Sequence, residues 1–185
     1  MAGKEVELNE YRSEMQKAMA MLAEDSRTIF LGQTVAFPGS RFTYATLADV
    51  PLEKRVELPI MEDTQMGISI GLALAGYIPV SIYPRMDFLL LASNQLVNHL
   101  DKFEELSNGR MHPKVIIRTV VGATSPIYPG PQHCQNHTEA FRRMLQNVEV
   151  IKLENPKDIV PAYRHALHGT DKSSLLIDAG NAHYK

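Results

Sequence analysis

The sequence predicts an α/β fold, a parallel sheet with helices on both faces, and three observations lead there. From about residue 55 onward, apolar runs of strand length alternate with segments of helical period. Strand and helix in strict turn leave the strands parallel and covered from both sides. With 185 residues, 44% of them apolar and 22% charged, the chain has the size and composition of one globular domain. Such a length buries roughly 70% of the surface that the unfolded chain exposes.

The first element is a helix over 8–24, where Leu8, Tyr11, Met15, Ala18, Met19 and Leu22 recur at three- and four-residue spacings. A buried strand, Thr28 to Gly32, ends in a glycine turn. Residues 33–54 have no clean period and are punctuated by Pro38, Gly39, Ser40 and Pro51, which predicts a long surface loop with room for a short helix. A strand over 55–60 follows. Glu62, Asp63 and Thr64 then open a helix running to about Ala75, with Gly76 as its stop. Met66, Ile68, Ile70, Leu72 and Leu74 make that helix apolar on most faces, so it is expected to be buried all round. The remaining elements are strand 78–83, helix 88–107, strand 114–120, loop 121–136, helix 137–146, strand 148–153, helix 156–168 and strand 174–178.

Composition narrows the function classes. Nineteen Lys and Arg against 21 Asp and Glu give a net charge of −2, without the positive field of a dedicated nucleic-acid binder. A lone cysteine, Cys134, rules out an internal disulfide framework and fits a reducing compartment. The longest apolar stretch, Met66 to Val80, falls short of the ~20 residues that span a bilayer and is broken by Gly67, Gly71, Gly76 and Pro79. The acidic-polar N-terminus is no secretory signal. The expectation is a cytoplasmic protein that engages neither nucleic acid nor membrane.

In sheets of this kind ligands bind beyond the carboxyl ends of the strands. Two of the loops there carry chemistry. Glu62 stands where a strand hands over to an apolar helix, behind Leu58, Pro59, Ile60 and Met61. An acid in a first helical turn commonly serves only the helix dipole. Here its apolar company desolvates it, which suits a carboxyl that shares a proton with a ring nitrogen. The second loop, Gly122 to His137, is stiffened by prolines and holds Gln132, His133, Cys134 and Gln135. His133 is a candidate proton carrier or donor to an anionic substrate, against the plainer reading of a solvated loop histidine. A metal centre from His133, Cys134 and His137 lacks a further ligand pair at supporting spacing, so no metal ligand is assigned. A Cys134–His nucleophilic pair is a third reading, although a lone cysteine is usually inert packing. Arg85 and Asp87, beside Pro84 at a strand end, are placed to meet a ligand or to pair in solvent. Walker and Gly-x-Gly-x-x-Gly phosphate loops are missing, and Gly-Asp-Gly occurs nowhere.

The stretch Leu58-Pro59-Ile60-Met61-Glu62, with Gly67, Gly71, Ala73, Gly76 and Pro79 at fixed intervals after it, resembles the beta subunit of thiamine-diphosphate-dependent 2-oxo acid dehydrogenases. Ala92-Ser93-Asn94-Gln95-Leu96-Val97-Asn98 and Lys102 extend the likeness, and Gly130-Pro131-Gln132-His133-Cys134-Gln135 is similar to the family's Gly-Pro-Gln-His-Ser-Gln. Transketolases share the glutamate and a similar histidine loop. The matched region, about residues 8–180, is the pyrimidine-binding domain of this transketolase-like superfamily.

That resemblance implies a pyrimidine-domain fold over 1–185, with neither a diphosphate-binding domain nor a C-terminal transketolase-like domain in this chain. It implies that Glu62 hydrogen-bonds N1′ of the cofactor aminopyrimidine and that Phe88 packs on that ring. Ile60 and Met86 join them as cofactor-binding residues. His133 faces the reacting carbonyl carbon or the acyl acceptor, with Arg85, Asp87 and Gln132 on the substrate side. Thiamine diphosphate is then shared with a separate subunit whose Gly-Asp-Gly…Asn motif holds the diphosphate through Mg2+, in a homo-dimer or hetero-tetramer. This chain departs from the family at Gln33-Thr34, where two acids are usual, and at Tyr83-Pro84-Arg85-Met86-Asp87. Those departures keep a second reading open, a non-catalytic assembly or regulatory module.

Overall fold

The computed structural model describes residues 9–37 and 43–184. Leu8, and the Pro38, Gly39 and Ser40 punctuation of the long loop, lie outside the described residues. Six parallel strands form one sheet: β1 (Thr28–Gly32), β2 (Arg55–Glu57), β3 (Ile78–Tyr83), β4 (Ile116–Val121), β5 (Glu149–Leu153) and β6 (Ser174–Ala179), in the order β2-β1-β3-β4-β6-β5. Every carboxyl end therefore lies on one edge of the sheet. Between β1 and β3 the chain leaves in opposite directions, the topological switch point beside which α/β folds commonly hold ligands.

Helices cover both faces, as the alternation predicts. On one side α1 (Glu10–Glu24) and α7 (Pro156–Arg164) pack over Phe30, Val80, Ile82, Ile116 and Leu176. Asn9 caps α1 by accepting from the Arg12 amide, and Asn155 caps α7 by accepting from that of Lys157. The short α2 (Thr43–Thr46) is the helix for which the long loop had room. On the other side α3 (Glu62–Leu74), the segment 86–106 and α6 (Thr138–Met144) pack over Tyr83, Ile117, Leu175 and Ile177.

Three expectations are corrected. First, α3 is not buried all round: Glu62, Gln65, Met66, Ser69 and Ile70 face the core, while Ile68 and Leu74 are 38% and 45% exposed. The stripe of Gly67 and Gly71 stands clear, with no atom within 4 Å of a methyl built on either. Second, the helix expected over 88–107 begins at Met86 and is irregular: α4 (Met86–Leu89), a 3-10 turn at Leu90–Ala92, a π turn at Gln95–His99, a 3-10 turn at Leu100–Lys102 and α5 (Phe103–Leu106). The π turn lies just before Asp101, which is wholly buried and whose Oδ1 accepts from the amides of Gln146, Asn147 and Val148. Third, the strand over 55–60 stops at Glu57, and the Glu57 carboxylate turns back to accept from the amides of Thr34, Val35 and Ala36 at 2.6, 2.9 and 2.7 Å. Charge-assisted bonds of this kind contribute about 1.5–3 kcal/mol each. They hold the loop after β1, where Thr34 adopts φ 59.

A buried ion pair locks the centre of the sheet. Arg118 of β4, 1% exposed, donates from Nε and Nη2 to Asp178 Oδ2 of β6 at 3.0 and 2.9 Å, and from Nη1 to Thr46 Oγ1 at 2.7 Å. Tyr11 of α1 adds its hydroxyl, which donates to Leu153 O and accepts from the Ala179 amide.

Candidate functional site

Four loops leave the carboxyl edge beside the β1–β3 switch point, and each carries part of the candidate site. Gly32 ends β1 at φ 149, so close to β3 that a methyl on it would lie 2.2 Å from Ile82 O. Only glycine lets the two backbones meet there. After β2, Ile60 stands 83% exposed and Met61 opens α3 without a side-chain cap, so the first-turn carboxylates of Glu62 and Asp63 complement the helix N-terminus.

Glu62 is 6% exposed. Among the described residues its carboxylate makes no hydrogen bond or ion pair, and only its main-chain carbonyl is engaged, accepting from Tyr83 Oη at 3.3 Å. Burial pushes the Tyr83 phenol above its ordinary range, and the Glu62 and Asp63 carboxylates push it further. One turn on, and on the same buried face, Gln65 is fully covered; its Nε2 donates to Ser81 Oγ and Ile82 O, both at 3.1 Å. Its Oε1 accepts from Gln33 Nε2, which also donates to Pro59 O at 2.9 Å. The amide at position 33 thus spans from β1 to the segment just ahead of Glu62. Sequence reasoning missed Gln65; its spacing of three from Glu62, on an apolar helix face, was the available signal.

Beyond β3, Met86, Asp87 and Phe88 meet the histidine loop residue by residue. Phe88 and His133 form an edge-to-face ring pair, centroids 5.6 Å apart at 84°. Asp87 Oδ1 accepts from Gln135 Nε2 at 2.9 Å and from its amide at 3.3 Å. Met86, wholly buried, accepts at its sulfur from the His137 amide at 2.9 Å. From beneath, Gly122 at the end of β4 seats the same loop: a methyl there would lie 1.6 Å from His133 O. Arg85 is half-buried with Nη1 donating to Pro84 O, and Gln132 is exposed. Phe88 and His133 are therefore brought together, while Ile60 and Gln132 lie open at the edge.

Cys134 Sγ donates to Ala123 O at 3.4 Å, and among the described residues no imidazole hydrogen-bonds to it, so the nucleophilic pair has no base. No group of three or more His, Cys, Asp or Glu side chains is gathered to hold a metal among the described residues. No described helix is long and apolar enough to cross a membrane. Glu62 thus presents, from a mostly buried residue, a carboxylate for which the described residues supply no hydrogen-bond donor or cation. An aromatic ring, Phe88, and an imidazole, His133, stand at the same carboxyl edge of the sheet.

The family model described as transketolase, pyrimidine binding domain, matches residues 9–181. The beta subunit of 3-methyl-2-oxobutanoate dehydrogenase from Mycobacterium tuberculosis is 28% identical over 160 residues, which cover 84% of this chain and 44% of that protein. A pyruvate dehydrogenase E1 component subunit beta from Gracilaria tenuistipitata var. liui is 27% identical over 139 residues, 73% of this chain and 42% of that one. The chain thus spans less than half the length of these relatives. Among solved structures, a chain titled split gene transketolase, inactive beta4 tetramer, shares the fold with a TM-score of 0.60 at 19% identity, covering 91% of this chain and 51% of that one.

Proposed function

The chain belongs to the transketolase pyrimidine-binding-domain family, and from that premise we propose that it is the pyrimidine-binding half of a split thiamine-diphosphate-dependent enzyme acting on 2-oxo acids or ketoses. The observation that carries the proposal is Glu62, a mostly buried residue at the start of α3 whose carboxylate has no partner among the described residues. When bound, thiamine diphosphate supplies the carbon nucleophile and electron sink for breaking or making a bond beside a 2-oxo group. Glu62 holds a proton at N1′ of the aminopyrimidine. Phe88 packs on that ring, with Ile60 reaching it from the open edge and Met86 supporting the wall from behind. His133, fixed against Phe88, faces the reacting carbonyl carbon or the acyl acceptor. Arg85, Asp87 and Gln132 lie on the substrate side.

A separate subunit with a Gly-Asp-Gly…Asn motif would hold the diphosphate through Mg2+, in a homo-dimer or hetero-tetramer arrangement of the halves. Exposed apolar side chains in the loops along the carboxyl edge support such a cover: Phe37, Ile60, Ile127 and Tyr128 are 67%, 83%, 77% and 59% exposed. A second reading, a non-catalytic assembly module, draws on Gln33, whose amide serves the Gln65 network where relatives of the resembled family carry an acid.

Co-purification from the native host, followed by calorimetry, separates the two. The split enzyme predicts a co-purifying chain with the missing motif, and thiamine diphosphate with Mg2+ binding to the pair but not to this chain alone at micromolar concentration. Tight binding by this chain alone would count against the split site. A stable complex that ignores the cofactor would favour the assembly module.

A further inference from the structure

We infer that Asp87 is a positioning residue for His133, the central point of a three-point clasp in which the turn Met86-Asp87-Phe88 grips the loop His133–His137. The inference deepens the proposed function and rests on it for its catalytic meaning, while the clasp itself rests on geometry alone. Three consecutive residues of the turn each hold a different residue of the loop: sulfur to the His137 amide, carboxylate to Gln135, ring to the His133 ring. Because Asp87 Oδ1 takes both the amide and the side-chain donor of Gln135, it fixes the loop two residues from the imidazole. Gly122 supports the loop from the opposite side.

The geometry distinguishes positioning from packing. Phe88, His133 and Cys134 are only partly buried and Gln132 and Gln135 are exposed, so burial in the core alone does not hold the loop in place. Its place relative to Phe88 depends on a few directed contacts, and the Asp87 pair is the one made by a charged acceptor. The role needs an acceptor oxygen at that point, so asparagine can replace aspartate and alanine cannot. The consequence for chemistry is that the ring on which the pyrimidine packs and the imidazole beside the reacting carbon move as one unit.

The test uses the full chain without cofactor. His133 is assigned in the imidazole NMR spectrum by its loss in His133→Gln, and amide exchange is followed over 130–137. Asp87→Ala is expected to abolish the ring-current displacement of the His133 signal and to speed exchange of the Gln135 amide by about 10-fold or more. Asp87→Asn is expected to restore both. Gln135→Ala, at an exposed site, is expected to shift the His133 signal the same way by a smaller amount and covers the case in which Asp87→Ala fails to fold. Wild-type signals and exchange in Asp87→Ala, or no rescue by asparagine, would overturn the clasp. Because these readouts need no turnover, they separate the two ideas: a shifted His133 alongside an unaffected Glu62→Gln enzyme keeps the clasp and removes the enzymatic reading.

Discussion

Gly122→Ala is the smallest change that should unseat the histidine loop. The added methyl would lie 1.6 Å from His133 O, 2.8 Å from His133 C and 3.3 Å from Cys134 Cα. Those are backbone atoms, so no side chain can rotate away. An ordinary van der Waals contact is about 3.5 Å, so the loop backbone must retreat by roughly 2 Å or β4 must yield. Forcing atoms into packed structure costs about 1–3 kcal/mol, and a chain of this size loses roughly 2–4 °C in Tm for each kcal/mol. The expected drop is therefore about 2–12 °C, read by calorimetric or circular-dichroism melting. Displacing a reacting group by about 1 Å can cost ~100-fold in rate, so the reconstituted enzyme should lose far more turnover than stability. Gly67→Ala is the control: it meets nothing within 4 Å and sits inside α3, where alanine is worth about 0.5–1 kcal/mol over glycine. A Gly122→Ala chain that melts like wild type and keeps the His133–Phe88 ring contact would refute the seating of this loop on β4.

Two further predictions concern the scaffold. Lys114 donates from Nζ to Leu167 O and Thr170 O at 2.7 and 2.6 Å, holding the end of the π turn that follows α7 (His165–Gly169); Lys114→Met should cost about 2 kcal/mol, or roughly 4–8 °C in Tm. Asp25 is held at about 2, below its ordinary 3.8, by the Arg27 guanidinium. A depressed carboxyl stabilises the fold above its unfolded value, and that contribution fades as pH falls from about 4 to about 2. With Arg27 in solvent the pair is worth at most about 1 kcal/mol, so the wild-type advantage over Asp25→Asn in melting should be small at pH 7 and vanish near pH 2.

Much of the fold was legible because parallel strands buried on both faces show as apolar runs, and β1, β3, β5 and β6 fall within a residue of where those runs place them. The failures have physical causes. A π turn adds a residue to a turn, which a 3.6-residue period cannot anticipate, so 88–107 looked like one regular helix. An apolar helix with small residues looked buried all round, although α3 turns only one face inward. Arg118 sits in an apolar strand, and its partner Asp178 is sixty residues away, beyond any local pattern. At the candidate site, local chemistry and motif were enough to single out Glu62 and His133 as proposals. Their supports were not legible: Gln65 reaches Gln33 across 32 residues, and Asp87 reaches Gln135 across 48.

The central claim is that the Glu62 carboxylate is kept unpaired for a proton on the cofactor ring. Glu62→Gln in the complex isolated from the native host tests it most directly, since the amide preserves size and removes the ionisable carboxyl. The account predicts unchanged melting of this chain, unchanged association with its partner, and turnover lower by ~100-fold or more, the usual contribution of a positioned acid or base. Turnover equal to wild type in a fully assembled Glu62→Gln complex would contradict it.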